Sequence, residues 1–200
     1  MPEKNDNLIR TVVTSKMPMH RHFLFLLLAA LLVLGVPDSS RAEDSPDNTA
    51  RQMKAAHLLK FAHYIEWPVQ AFADPADPIV IGVIGAAPLA EELERISPAH
   101  EIGKRKVVVK RLTTEDTSAK VHILYIGRRS GPKVQEWFTT VETQPLLRVC
   151  DASHELAHAC AIKFLMHDNR LRFDISLPAT EASGIRITAP LLTVARQVEE

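Results

Sequence analysis

The run Phe23–Val36 (FLFLLLAALLVLGV) holds 13 apolar residues in 14. A helix that crosses a bilayer takes about 20 such residues. Lys16, His20, Arg21 and His22 precede the run, and Pro37-Asp38-Ser39-Ser40-Arg41-Ala42 follow it. A basic leader, a short apolar core and a small-x-small site together describe a secretory signal peptide. Residues 1–42 are read as that peptide, with cleavage after Ala42 and with Met17 or Met19 as alternative starts. An uncleaved anchor helix is the rival reading, and the short run argues against it.

Export changes the charge arithmetic. The 200 residues carry 24 basic and 24 acidic side chains, a formal net charge of zero. The leader takes five cations and three anions, which leaves 19 against 21 in the remaining 158 residues. A net charge of −2 does not indicate a basic nucleic-acid binder, so no nucleic-acid partner is expected. With 46% apolar and 24% charged residues the chain is not disordered. A length of 158 residues suffices for one sizeable core without staples.

Residues 43–49 are polar and read as a flexible segment, and 50–198 as a single domain. Leu58, Phe61, Ala62 and Ile65 recur at helical spacing. Asn48 or Thr49 is a candidate cap, and Pro68 forces Trp67 out of the helical region. Ile79–Gly85 (IVIGVIG), Lys106–Leu112, Val121–Gly127 and Leu146–Cys150 read as strands, with helices expected over 88–96 and 133–141. Ala161–Met166 and Leu171–Ser176 flank an Asp168-Asn169 turn and read as a hairpin. The tail 185–198 is expected to begin extended and end helical. Alternation of this kind predicts an α/β fold: a mixed, mainly parallel sheet flanked by helices, with a C-terminal antiparallel hairpin.

Several motifs carry chemistry on paper. His154-Glu155-Leu156-Ala157-His158 is a literal H-E-x-x-H, which on a helix holds zinc through His154 and His158 with Glu155 as base. Only about two helical turns fit between the strand ending at Cys150 and the one beginning near Ala161. Cys150, His154, His158 and Cys160 form a second, cramped candidate zinc set. Against both stands a Cys150–Cys160 disulfide, which an oxidising compartment permits and which closes a short loop. The main expectation is therefore disulfide, no metal and no catalytic residue, with the zinc hydrolase retained as the alternative. Gly82-Val83-Ile84-Gly85 lacks the spacing of a dinucleotide-binding turn. A small-molecule site after Gly85, at the C-terminal ends of the strands, is a third reading. His57 and His63, six residues apart, read as surface or partner-contact residues.

Three stretches together resemble one known family. Lys54-Ala55-Ala56, Leu58 and Phe61, followed by Tyr64 and Trp67-Pro68, are similar to its KAA-x-L-x-x-F…Y-x-x-WP opening. Ile79–Gly85 with Pro88 matches its first strand and turn. Asp168-Asn169-Arg170-Leu171-Arg172-Phe173, then Gly184-Ile185-Arg186-Ile187 and Leu191-Leu192 to Ala195-Arg196, match its closing segments. Where relatives open a strand with G-G-x-I-x-F, this chain has Ala159-Cys160-Ala161-Ile162-Lys163-Phe164. The family so resembled is the YfiR family, and the resemblance spans 51–198. It implies a periplasmic, non-enzymatic regulator without cofactor that represses an inner-membrane diguanylate cyclase through the cyclase's periplasmic sensor domain, lowering cyclic di-GMP and biofilm formation. It also implies a homodimer. Candidate partner-binding residues on that reading are Arg170, Arg172, Arg186 and Trp67.

Overall fold

The computed structural model describes residues 46–116, 119–131, 133–140 and 144–200. The expected leader, and Val141 at the end of one expected helix, lie outside them. The elements are α1 (Pro46–Phe61), β1 (Ile65–Glu66), β2 (Ile79–Ile84), α2 (Ala87–Ile96), β3 (Glu101–Ile102), β4 (Arg105–Leu112), β5 (Ile123–Ile126) and α3 (Val134–Thr140). There follow β6 (Leu147–Asp151), β7 (Ile162–His167), β8 (Arg170–Ser176), α4 (Leu177–Ala182), β9 (Arg186–Ile187), α5 (Ala189–Val194) and β10 (Gln197–Glu199).

Strand β2 is buried at all six positions, a pattern that requires cover on both faces of the sheet. It lies inside an eight-stranded sheet of order β10-β8-β7-β6-β5-β2-β4-β3. Neighbours from β7 through β4 run parallel, β7 and β8 form the antiparallel hairpin, and β3 and β10 are short edges. The α/β class, the mainly parallel sheet and the C-terminal hairpin agree with the sequence. Alternation sorts the side chains into two cores. Ile79, Ile81, Val83, Ile123, Tyr125, Val149, Phe164 and Phe173 face α1 and α2. Val80, Ile84, Leu124, Ile126 and Cys150 face Val134, Trp137 and Phe138 of α3.

Helix α1 begins at Pro46, four residues before the expected start. Proline at a first helical position loses no hydrogen bond, and Asp47 in the first turn complements the dipole. The helix buries Ala55, Leu58, Leu59 and Phe61. It stops there, short of Pro68, and Ile65 reaches the core from β1, paired with Ile187 of β9. His57 is not a free surface group. Its ring meets Phe61, Phe164 and Phe173 edge-on at 5.9–6.0 Å. His63 is exposed.

Asp168 and Asn169 both have positive φ, 49° and 55°, the backbone of a two-residue hairpin turn. The tail departs from expectation at its end. Helix α5 stops at Val194, and β10 runs parallel to β8 with Val198 opposite Ile175. The open edge of β8 offers unpaired backbone groups, and pairing with them outweighs the weak helical preference of the last residues.

Two internal ties secure the second core and the strand ends. The ten-residue crossover 152–161 between the parallel strands β6 and β7 contains only turns and a short 3₁₀ segment over Ala157–Ala159. Cys150 and Cys160 join across it in a disulfide, both fully buried, with Cα atoms 6.2 Å apart. His122 precedes β5 and is buried. Its Nδ1 accepts from the Val80 N–H at 3.0 Å, and Nε2–H donates to the Ala71 carbonyl at 3.1 Å. Phe72 stacks on the ring at 4.5 Å and Trp67 meets it edge-on at 5.6 Å. Burial pushes the imidazole below its ordinary value, helped by the Arg105 charge and opposed by the Ala71 bond and Asp77.

Closing this short loop stabilises by about 2–3 kcal/mol on the chain-entropy scale. A Cys150→Ala/Cys160→Ala variant is expected to unfold at lower denaturant by that amount, measured by chemical denaturation; an unchanged midpoint would contradict the tie. Because His122 is held neutral, its contribution is complete above its unfolded pKa near 6.5 and is lost as pH falls toward its lowered folded value. Wild type should therefore lose melting temperature more steeply than His122→Gln between roughly pH 7 and pH 5. Parallel acid limbs in the two proteins would refute the assignment.

Candidate functional site

Alternation along β8 sends Leu171, Phe173 and Ile175 into the first core and leaves Arg170 and Arg172 on the opposite face, both exposed. Across the hairpin they pair with His167 and Leu165. This part of the face contributes no residue to the second core. Its neighbours are occupied by one another: Lys163 binds Glu199 at 2.9 Å, and Arg196 binds Asp174. Among the described residues no carboxylate pairs with Arg170 or Arg172.

Arg186 and Trp67 belong to a different place. Both line a groove of about 470 Å³ with Pro68, Thr180, Glu181 and Ile187. Arg186 is exposed and lies 3.7 Å from Glu66. Trp67 is half-buried and leans on the first core and on His122. The four residues named from the sequence thus fall into two pairs on separate surfaces.

The H-E-x-x-H residues do not sit on a helix. His154 lies in a turn, buried, and its Nδ1 accepts from the Leu156 N–H at 3.0 Å. Nε2 therefore carries the ring proton and donates to Ser130 Oγ at 3.3 Å. Glu155 and His158 are exposed, His158 in the 3₁₀ turn. Among the described residues no three His, Cys, Asp or Glu side chains gather as a metal site. The cysteine sulfurs of the second candidate zinc set are bonded to each other instead.

The cleft expected after Gly85 is present. From β2 the chain passes through α2 to β4 on one side, then returns to β5 on the other, so the order reverses between β2 and β5. Open α/β sheets place ligands at that reversal, beyond the carboxyl ends of the strands. A cleft of about 540 Å³ lies there. Gly85 has φ +68°, and a Cβ on it would stand 2.3 Å from the Ser130 nitrogen. A Cβ on Gly127 would stand 2.6 Å from the Gly85 carbonyl oxygen, so only glycines let the two loops meet.

The floor of the cleft is a polar triad drawn from α1, β5 and β6. Lys54 Nζ binds Asp151 Oδ1 at 2.5 Å, and the Tyr125 hydroxyl donates to the same oxygen at 3.1 Å. Burial, reinforced by the Asp151 charge, pushes the Tyr125 phenol far above its ordinary range and keeps it a donor. Arg51, Arg111, Arg128 and Arg129 also line the cleft. Of these residues the sequence names only Lys54, within the family motif, and Arg111, in the basic set Lys104-Arg105-Lys106, Lys110 and Arg111 that reads as a solvated strand-turn face able to meet phosphate. The available signal was the repeated pattern of an apolar strand closing on glycine, Ile84-Gly85 and Ile126-Gly127, the second leading directly into Arg128-Arg129.

No curated protein matches the chain. The YfiR/HmsC-like family model matches residues 51–196. That span runs from the first third of α1 to the residue before β10 and includes every strand from β1 to β9. The family is periplasmic and regulatory rather than enzymatic, and acts in cyclic di-GMP signalling. On that match, the chain belongs to the YfiR/HmsC-like family.

Proposed function

We propose that this protein is exported to the periplasm and there represses a membrane-bound diguanylate cyclase by binding the cyclase's periplasmic sensor domain. The family match over nearly all of the folded chain carries the reading. The apolar run Phe23–Val36 behind a basic leader supports export. A regulator without chemistry acts only through unequal affinity for two states of its partner. Near-complete silencing of an active-biased cyclase takes on the order of a 10⁴-fold preference for the inactive state. Binding energy of that size calls for a surface in which charge or apolar area meets a complement.

The exposed face of β7 and β8 suits that role better than the groove at Trp67. Among the described residues Arg170 and Arg172 meet no carboxylate, whereas Arg186 already lies near Glu66 and Trp67 is committed to the core. Unpartnered guanidiniums on a rigid strand present five donors each to an acidic partner surface. In this reading the groove is a secondary contact.

Charge reversal separates the two surfaces. With Arg170→Glu/Arg172→Glu at the native locus, cyclic di-GMP should rise and the cyclase should no longer co-purify with the variant, while the purified variant melts as wild type does. Retained co-purification and unchanged cyclic di-GMP would exclude this face as the contact.

A further inference from the structure

We infer that the cleft between the β2 and β5 loops is a binding site for a small organic phosphate monoester, held through Arg128 and Arg129. This inference does not rest on the repressor reading, since the cleft and the β7–β8 face are separate surfaces. Three observations converge on it. The cleft opens at the reversal of strand order, and its volume of about 540 Å³ lies within the range of small-molecule sites.

Its charges are sorted. Asp151 is answered by Lys54 at 2.5 Å, and Arg111 by Glu94 at 2.6 Å and Glu91 at 3.5 Å. Arg51 donates to the Asn48 side chain, and its charge bears on Glu92 of α2. Arg128 and Arg129 remain, exposed, adjacent and without a carboxylate or hydrogen-bond partner for either guanidinium among the described residues. Two guanidiniums lining one cleft match a dianionic head group, because planar forks bind phosphate oxygens in pairs. The first turn of the ten-residue helix α2 lines the same cleft; Pro88 carries no N–H and the Leu89 amide bonds Ala86, so that turn adds only the partial positive charge of the helix dipole.

The rest of the lining is apolar. Val83, Leu89, Leu112 and the Tyr125 ring supply a wall for a compact organic body, which inorganic phosphate would leave unfilled. The Gly85–Gly127 contact fixes both loops against each other, so the arginines stand on a preformed frame.

Phenyl phosphate titrated into protein purified from cells expressing the full chain tests the inference, read by calorimetry and by amide chemical shifts. Saturable binding is expected, with shifts concentrated at 85–90 and 127–130. Arg128→Ala/Arg129→Ala should weaken it by roughly tenfold or more, as loss of a charge-assisted pair implies. Arg170→Ala/Arg172→Ala, which removes the same charge elsewhere, should leave it within about twofold. Both changes are at exposed positions, and melting curves verify the fold of each variant. No saturable binding, equal losses in the two variants, or equally tight binding of neutral benzyl alcohol would each overturn the site.

Discussion

Gly85 and Gly127 end neighbouring strands, and their loops then depart toward opposite faces of the sheet. The backbones pass so closely that a single Cβ on either would collide with the other loop. Right-handed crossovers running in opposite directions along the sheet, β2 to β4 and β5 to β6, put α2 and α3 on opposite faces, and the glycine contact lets their loops pass each other there. It also leaves the cleft between the departing loops, and Arg128-Arg129 stand on one of its walls because they follow Gly127 directly. A conformational requirement at two positions thus ties the architecture to the place where a ligand could act.

The disulfide solves a related problem further along the sheet. A parallel strand pair usually takes a crossover of a dozen or more residues with a helix in it. Here β6 reaches β7 through ten residues without an α-helix, and the Cys150–Cys160 bond holds the two ends of that segment. The same shortness explains why H-E-x-x-H fails as a metal motif. Without a helix, His154 and His158 do not share a face, and His154 spends both ring nitrogens on the Leu156 amide and Ser130. Its bond to Ser130 joins the disulfide-closed segment to the loop that carries Arg128 and Arg129.

What the sequence made legible follows from the range of each interaction. The β2 run and the Asp168-Asn169 turn carry local signals, burial on both faces and positive φ, and both emerged where expected. The C-terminal end of α1 and the end of the chain did not, because long-range pairing decides them. Ile65 leaves the helical register to join Ile187, and β10 forms only because β8 presents an edge. The cleft was anticipated by position but not by residue. Lys54 and Asp151 meet across 97 positions, and nothing local to either announces the other. The partner-binding set illustrates the same limit, as four residues of suitable type proved to lie on two surfaces.

Export and repression together make the most exposed statement about this protein, and one comparison reaches it directly. Cyclic di-GMP is measured in a strain lacking the gene, and again after restoring either the full chain or a chain lacking residues 1–42. Repression from the periplasm predicts a rise on deletion that the full chain reverses and the leaderless chain, at equal abundance, does not. Unchanged cyclic di-GMP on deletion, or full reversal by the leaderless chain, would contradict it.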